Sequence, residues 1–68
     1  MSAYKIIELV GTSGKSWEDA AQQAIASASK SLRNLRIAEV TKQDVTIDAK
    51  GKIKEYRCKL SLSFKYEG

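Results

Sequence analysis

A chain of 68 residues and 7.5 kDa has room for one domain, taken as 1–68, and little room for a private core. Domains of this size bury only about 60% of the surface their unfolded chain exposes and rely on disulfides, metals or association. One cysteine, Cys58, and no histidine exclude an internal disulfide and a zinc site of the usual Cys and His spacing, which leaves association as the stabiliser.

The net charge of +4, from 12 Lys and Arg against 8 Asp and Glu, mildly favours anionic partners, but the basic residues are spread along the chain. Met1-Ser2-Ala3-Tyr4-Lys5 has no basic region followed by an apolar stretch, and no apolar run approaches the length that spans a bilayer. The expectation is a cytoplasmic protein with no membrane partner.

Ala3 to Val10 is rich in Ile, Leu and Val and runs into Gly11-Thr12-Ser13-Gly14, which predicts a strand and a turn. Tyr4, Ile6 and Val10 fall on one face and Ile7 and Leu9 on the other, so both faces are expected to be covered. Gly14-Lys15-Ser16 before a helix resembles a phosphate-binding loop, but Leu9 stands where the first glycine of that loop belongs. A capped helix entry is the better reading: Ser16 is the N-cap, Asp19 is a weaker version of the usual Glu or Gln partner, and Glu18 and Asp19 suit the positive helix end.

Trp17, Ala20, Ala21, Ala24, Ile25, Ala28, Leu32 and Leu35 recur at helical spacing and predict a helix of about 18 residues, roughly 27 Å long. Its alanine-rich stripe permits close packing against a sheet while contributing little apolar area. A strand is predicted over Arg36 to Asp48, with a bulge near residues 41 to 44, because apolar alternation changes parity between Val40 and Val45. Asp48-Ala49-Lys50-Gly51 is a hairpin turn in which Gly51 takes the positive φ.

From Tyr56 through Cys58, Leu60, Leu62 and Phe64 to Tyr66 every second residue is apolar, the pattern of a half-buried antiparallel strand. The order is therefore β-α-β-β, an α+β subunit. Strands of a dozen residues, roughly 40 Å, outrun the helix, so neighbouring copies must cover sheet and edges.

No catalytic set is present, and the chain is expected not to be an enzyme. The commonest general base is missing, and Cys58 lies on an apolar strand face, where a thiol serves as a small hydrophobe. Trp17, in the first helical turn, is expected to be a core or subunit-contact residue. The acidic residues Glu39, Asp44 and Asp48 have the chemistry of calcium ligands but no calcium-loop spacing. Arg33, Arg36, Arg57 and Lys59 are either ordinary surface charge or an anion site across a subunit boundary. A nucleic-acid partner is expected to be absent, because Tyr56, Phe64 and Tyr66 lie on the inward face, whereas RNA-binding sheets display such aromatics outward.

Tyr4-Lys5-Ile6-Ile7-Glu8-Leu9-Val10-Gly11-Thr12-Ser13, Leu32-Arg33-Asn34-Leu35, Glu39-Val40 and Lys54-Glu55-Tyr56 together resemble the dodecins over nearly the whole chain. The resemblance implies a three-stranded antiparallel sheet curled around one helix, a homododecameric hollow cage as self-partner, and storage of a small-molecule ligand, typically a flavin such as FMN or riboflavin. It places Ile37 and Arg57 at the family's two flavin-site positions, a stacking tryptophan and a hydrogen-bonding glutamine. Ile37 has no aromatic face, which removes a contribution of about 1 kcal/mol. Arg57 donates hydrogen bonds but accepts none, so it cannot replace an amide. The Ser16-Trp17-Glu18 helix start and Arg36-Ile37-Ala38 are more similar to a branch described as calcium-binding dodecins, and no ligand residue for calcium is carried over from it.

Overall fold

The computed structural model describes residues 3–66; the N-terminal Met1 and Ser2 and the inward placement of the Tyr66 side chain lie outside the described residues. The order is β1 (Ala3–Ser13), α1 (Trp17–Ser29), β2 (Leu35–Ile47) and β3 (Ile53–Tyr66). The three strands form one antiparallel sheet in the order β1-β3-β2, so the last strand is central and both earlier strands are edges.

β1 extends through the stretch expected to turn. Gly11, Thr12 and Ser13 pair with Cys58, Arg57 and Tyr56, and the chain leaves the sheet only at Gly14. The reason lies in the helix above it. Ala20, Ala24 and Ala28, one turn apart on α1, are buried against Cys58, Leu60 and Leu62, and a Cβ on Gly11 would collide with the Ala20 carbonyl oxygen and come 3.0 Å from the Ala24 Cβ. Small residues on both sides let the helix rest directly on the strand.

The Ser16 hydroxyl accepts from the Asp19 backbone N–H at 3.0 Å, as an N-cap should. The Asp19 carboxylate turns elsewhere and accepts from the Ser13 hydroxyl at 2.6 Å, which ties the end of β1 to the first turn of α1.

The helix has 13 residues, not about 18. It stops at Ser29, and Asn34 then takes φ 62, a left-handed conformation that Asn tolerates better than most residues. Leu32 and Leu35 still pack on the core, but from the connection and from the start of β2. A helical period therefore reappears in residues that are not helical.

The expected bulge is present as a register shift between Val40 and Lys42, where the Thr41 hydroxyl donates to the Lys59 carbonyl at 3.3 Å. Asp48 shapes the hairpin by accepting from the backbone N–H groups of Lys50 and Lys52 at 2.9 and 3.0 Å, and Gly51 has φ 78. The sheet outruns the helix, as expected: the longest dimension is 52 Å, against about 20 Å for thirteen helical residues.

The fully buried core is Ala20, Ala24, Ala28, Cys58, Leu60 and Leu62. The helix lies over β1 and β3 and scarcely reaches β2. Coverage of both faces of β1 does not hold within one subunit, because Tyr4, Ile6 and Val10, on the side away from α1, are 54%, 63% and 54% exposed. Among the described residues no helix is long and apolar enough to cross a membrane.

Candidate functional site on the outer face of the sheet

Antiparallel register places directly opposed residues on the same face. Leu9, Leu60 and Val40 are opposed across the three strands on the helix side, so Glu8, Ser61 and Glu39, one step over, lie on the outer side. Ile6, Ser63 and Ile37 form the neighbouring outer row toward one end, and Val10, Lys59 and Lys42 the row toward the other. Beyond them Thr12, Arg57 and Asp44 are aligned. Both sequence-predicted ligand positions, Ile37 and Arg57, thus share the outer face.

They are not brought together within the subunit. Ile37 is opposite Ser63, six positions from Arg57 along β3, which separates the two by about 20 Å at 3.4 Å per residue. Ile37 is 67% exposed and forms part of a shallow cleft of about 160 Å³ with Ile25, Leu35, Arg36, Ala38 and Leu62, opened where α1 fails to cover β2. A second open groove, of about 270 Å³, runs between the edge of β1 at Val10–Thr12 and the helix residues Gln23 and Ser27.

Arg57 is engaged at its own end. Its Nε and Nη2 donate to the two Asp44 carboxylate oxygens at 2.7 and 3.1 Å, a paired geometry suited to a planar guanidinium. The hydrogen bond and the charge of Arg57 hold the Asp44 carboxyl below the usual carboxylate range, and Asp44 raises Arg57 in turn. Both groups are solvent-exposed, so screening keeps the pair's contribution to stability small.

Trp17 anchors the same corner from the other side of the sheet. Its indole N–H donates to the Asp44 carbonyl at 3.0 Å, and its ring meets Tyr56 edge-on with centroids 5.2 Å apart. The first helical turn is thereby fastened to the far half of the hairpin, a contact within the subunit that helical spacing alone does not announce. Tyr56 and Phe64 are half-buried, in keeping with their inward placement.

The remaining candidates separate. Among the described residues no three carboxylate or thiol side chains gather as a metal site. Asp44 is committed to Arg57, Asp48 to the turn amides, and Glu39 shares its row with Ser61 and, across β3, Glu8. Arg33 lies in the connection ahead of β2, Arg36 at the start of β2, and Arg57 and Lys59 along β3, so the four make no single anion site in one subunit. Lys59 instead approaches Glu8 at 3.8 Å. Cys58 is 1% exposed, and burial pushes its thiol up, which keeps it protonated and unreactive at neutral pH.

The geometry fits neither a flavin stacked in the family's manner nor a calcium ion held by one chain. An exposed aliphatic stands where the sequence resemblance led us to expect a stacking residue, the other expected position carries a guanidinium already paired with a carboxylate, and the acidic candidates are dispersed.

Comparison with known proteins gives consistent relatives. The calcium dodecin of Mycobacterium tuberculosis is 49% identical over 65 residues, covering 96% of this chain and 90% of that protein. Its crystal structure, described as having a calcium-binding site, superposes with a TM-score of 0.86 at 47% identity, covering 97% of this chain and 93% of that one. The dodecin of Thermus thermophilus is 45% identical over 64 residues, covering 94% of this chain and 91% of that protein. A variant of it in crystal form superposes with a TM-score of 0.92 at 43% identity over the whole of both chains. The Dodecin family model matches residues 3–67. With the strand order, the helix and the relatives in agreement, the chain belongs to the dodecin family.

Proposed function

We propose that the chain is a non-enzymatic, cytoplasmic subunit of a homododecameric hollow cage that holds small ligands at the boundaries between its subunits. The observation that carries this reading is the mismatch between inside and outside. The buried core consists of three alanines, a cysteine and two leucines, while Tyr4, Ile6, Val10, Ile37, Val40, Ile47 and Ile53 are each about half exposed or more. Seven large apolar side chains left in water are a cost that burial against other copies removes, at about 25 cal/mol per Å². The unpaired edges of β1 and β2 point the same way. Light scattering at micromolar concentration is expected to give twelve times the 7.5 kDa chain mass. A stable species of one chain mass would reject the proposal.

Flavin is the ligand implied by the family at large, and Ile37 and Arg57 argue against the usual mode of holding it. Titration with FMN or riboflavin is expected to leave flavin fluorescence unquenched at ligand concentrations on the order of tens of micromolar, weaker than a typical small-ligand site. Strong quenching there would show a flavin site built from other residues.

A calcium-binding or purely structural assembly is the second reading, and the calcium dodecin relative at 49% identity favours it. With the acidic side chains dispersed in one subunit, the ligands would come from carboxylates and carbonyls of more than one copy. Calorimetry with calcium on the assembled protein distinguishes the two forms of this reading, since heat that saturates supports a site and its absence leaves a structural role.

A further inference from the structure

The two free edges of the sheet differ in their surroundings. α1 scarcely reaches β2, but it rests directly on β1 and leaves the groove of about 270 Å³ beside Val10–Thr12. One bond at the far end of the ladder fixes which way the backbone groups of that edge point. The Lys65 N–H donates to the Asn34 carbonyl at 3.3 Å, so Lys65 turns its polar backbone groups toward β2. Tyr4, directly opposite, is left without a bond to it and turns its own N–H and C=O outward. Direction alternates along a strand, and β1 pairs with β3 without a register shift, so Ile6, Glu8, Val10 and Thr12 do the same. Val10 and Thr12 therefore present unpaired donors and acceptors to the groove, about 7 Å apart. The opposite wall holds Gln23 and Ser27, an exposed carboxamide and hydroxyl one helical turn apart. Among the described residues no charged side chain lines the groove.

We propose that this groove is a peptide-docking site, in which an extended, uncharged segment of another protein joins β1 as a fourth strand of the sheet. The function goes beyond self-assembly and needs the β1 edge to stay free in the assembled particle. An antiparallel segment makes a pair of backbone bonds at Val10 and another at Thr12. Its residues opposite Val10 and Thr12 lie on the outer face, where an apolar β-branched side chain covers Val10, 54% exposed in the subunit. The residue between those two faces α1, where Gln23 and Ser27 suit a small hydroxyl-bearing side chain and a charge would find no counter-ion. The groove is open and smaller than the roughly 300–1,000 Å³ of a typical small-molecule pocket, so it fits a chain passing through better than a compact ligand held inside.

The probe is a pentapeptide of alternating serine and valine, with blocked termini, a fluorophore on a linker, and the valines second and fourth. Titrated with the assembled full chain, it is expected to show a saturable rise in fluorescence anisotropy. N-methylation of both valines removes the donors to the Val10 and Thr12 carbonyls and is expected to weaken binding by about tenfold or more. N-methylation of the central serine, whose N–H points away from β1, is expected to weaken it far less. In the chain, Val10→Pro removes an outward N–H without breaking a ladder bond, and is expected to lose the binding at unchanged particle mass in light scattering. Gln23→Ala, on the exposed side of α1, is expected to weaken binding, also at unchanged mass. If Val10→Pro fails to fold, the methylated peptides and Gln23→Ala decide alone. Absence of binding to the unaltered chain, or equal weakening by the two methylations, would overturn the docking site while leaving assembly intact. A lower particle mass for Val10→Pro with unchanged circular dichroism would show that another copy already occupies the edge, which overturns it as well. A monomeric unaltered chain that still binds the peptide would reject the assembly reading and keep this one.

Discussion

Gly11→Ala is expected to lower the denaturant midpoint of the protein sharply and to weaken its helical signal, measured by urea titration at fixed protein concentration. The added methyl meets the Ala20 carbonyl oxygen, which belongs to the helix backbone and has no rotamer to change, and it lies 3.0 Å from the Ala24 Cβ. Relief requires α1 to rise off β1, and that opens the contacts of Ala20, Ala24 and Ala28 with the sheet. Overpacking of a tight core costs about 3 kcal/mol when the backbone has to move. A 68-residue domain has roughly 3–10 kcal/mol to lose, so the loss is a large fraction of the whole. Gly14→Ala is the control: an added Cβ there has no neighbour within 4 Å, and its midpoint should stay near that of the unaltered chain. Equal midpoints for the two variants would show that the close approach of helix and strand is not what Gly11 provides.

Leu60→Ala is the second substitution with a large effect. Leu60 is fully buried on the central strand, opposed by Leu9 on one side and Val40 on the other, beneath the alanine face of α1. Truncation of such a leucine costs about 2–5 kcal/mol, the transfer of the lost carbons plus the cavity left behind. The upper part of that range applies here, because the facing residues are alanines, which have no side-chain length with which to fill the void. The matching expectation on the outer side is a small effect on subunit folding from Ser61→Ala, one residue away but directed from the helix. A Leu60→Ala chain with an unchanged urea midpoint would mean that contacts between subunits, and not this core, hold the fold.

The pattern of β3 was readable because strict alternation from Tyr56 to Phe64 has one structural solution, and the opposed residues of both neighbours follow it. The Ser16 cap and the bulge near Thr41 were equally visible, each being a local event with a local signature. The end of the helix was not. Leu32 and Leu35 keep the helical period because they pack on the same core, although α1 has already ended at Ser29 and Asn34, between the two leucines, takes a positive φ. The start of β3 at Ile53, ahead of the alternating run, and the extension of β1 to Ser13 depend on pairing between distant segments, which no short window of sequence contains.

The candidate site was legible in sequence only as two expected positions and not as an arrangement. The family resemblance put forward Ile37 and Arg57 one at a time, and the residues themselves argue against a stacked flavin. That Arg57 is held by Asp44, and that Asp44 is in turn fixed by the Trp17 indole, joins residues from three elements and appears only once the chain is folded. The order of charges on the outer face has the same origin. Glu8, Glu39, Lys42 and Lys59 are unremarkable in sequence, and cross-strand register alone sets acid beside base.

The position of β3 at the centre of the sheet also sets the order in which a nascent chain can acquire structure. β1 is synthesised first, yet every one of its ladder partners, from Tyr56 opposite Ser13 to Tyr66 opposite Ala3, is in the segment synthesised last. Until that segment leaves the ribosome, β1 is an apolar strand without a ladder, and only α1 and part of β2 are available to shield it. Topologies dominated by such distant pairings fold slowly, and they leave unpaired strands exposed for longer. Crowding of many nascent chains on one message would therefore favour encounters between unfinished copies.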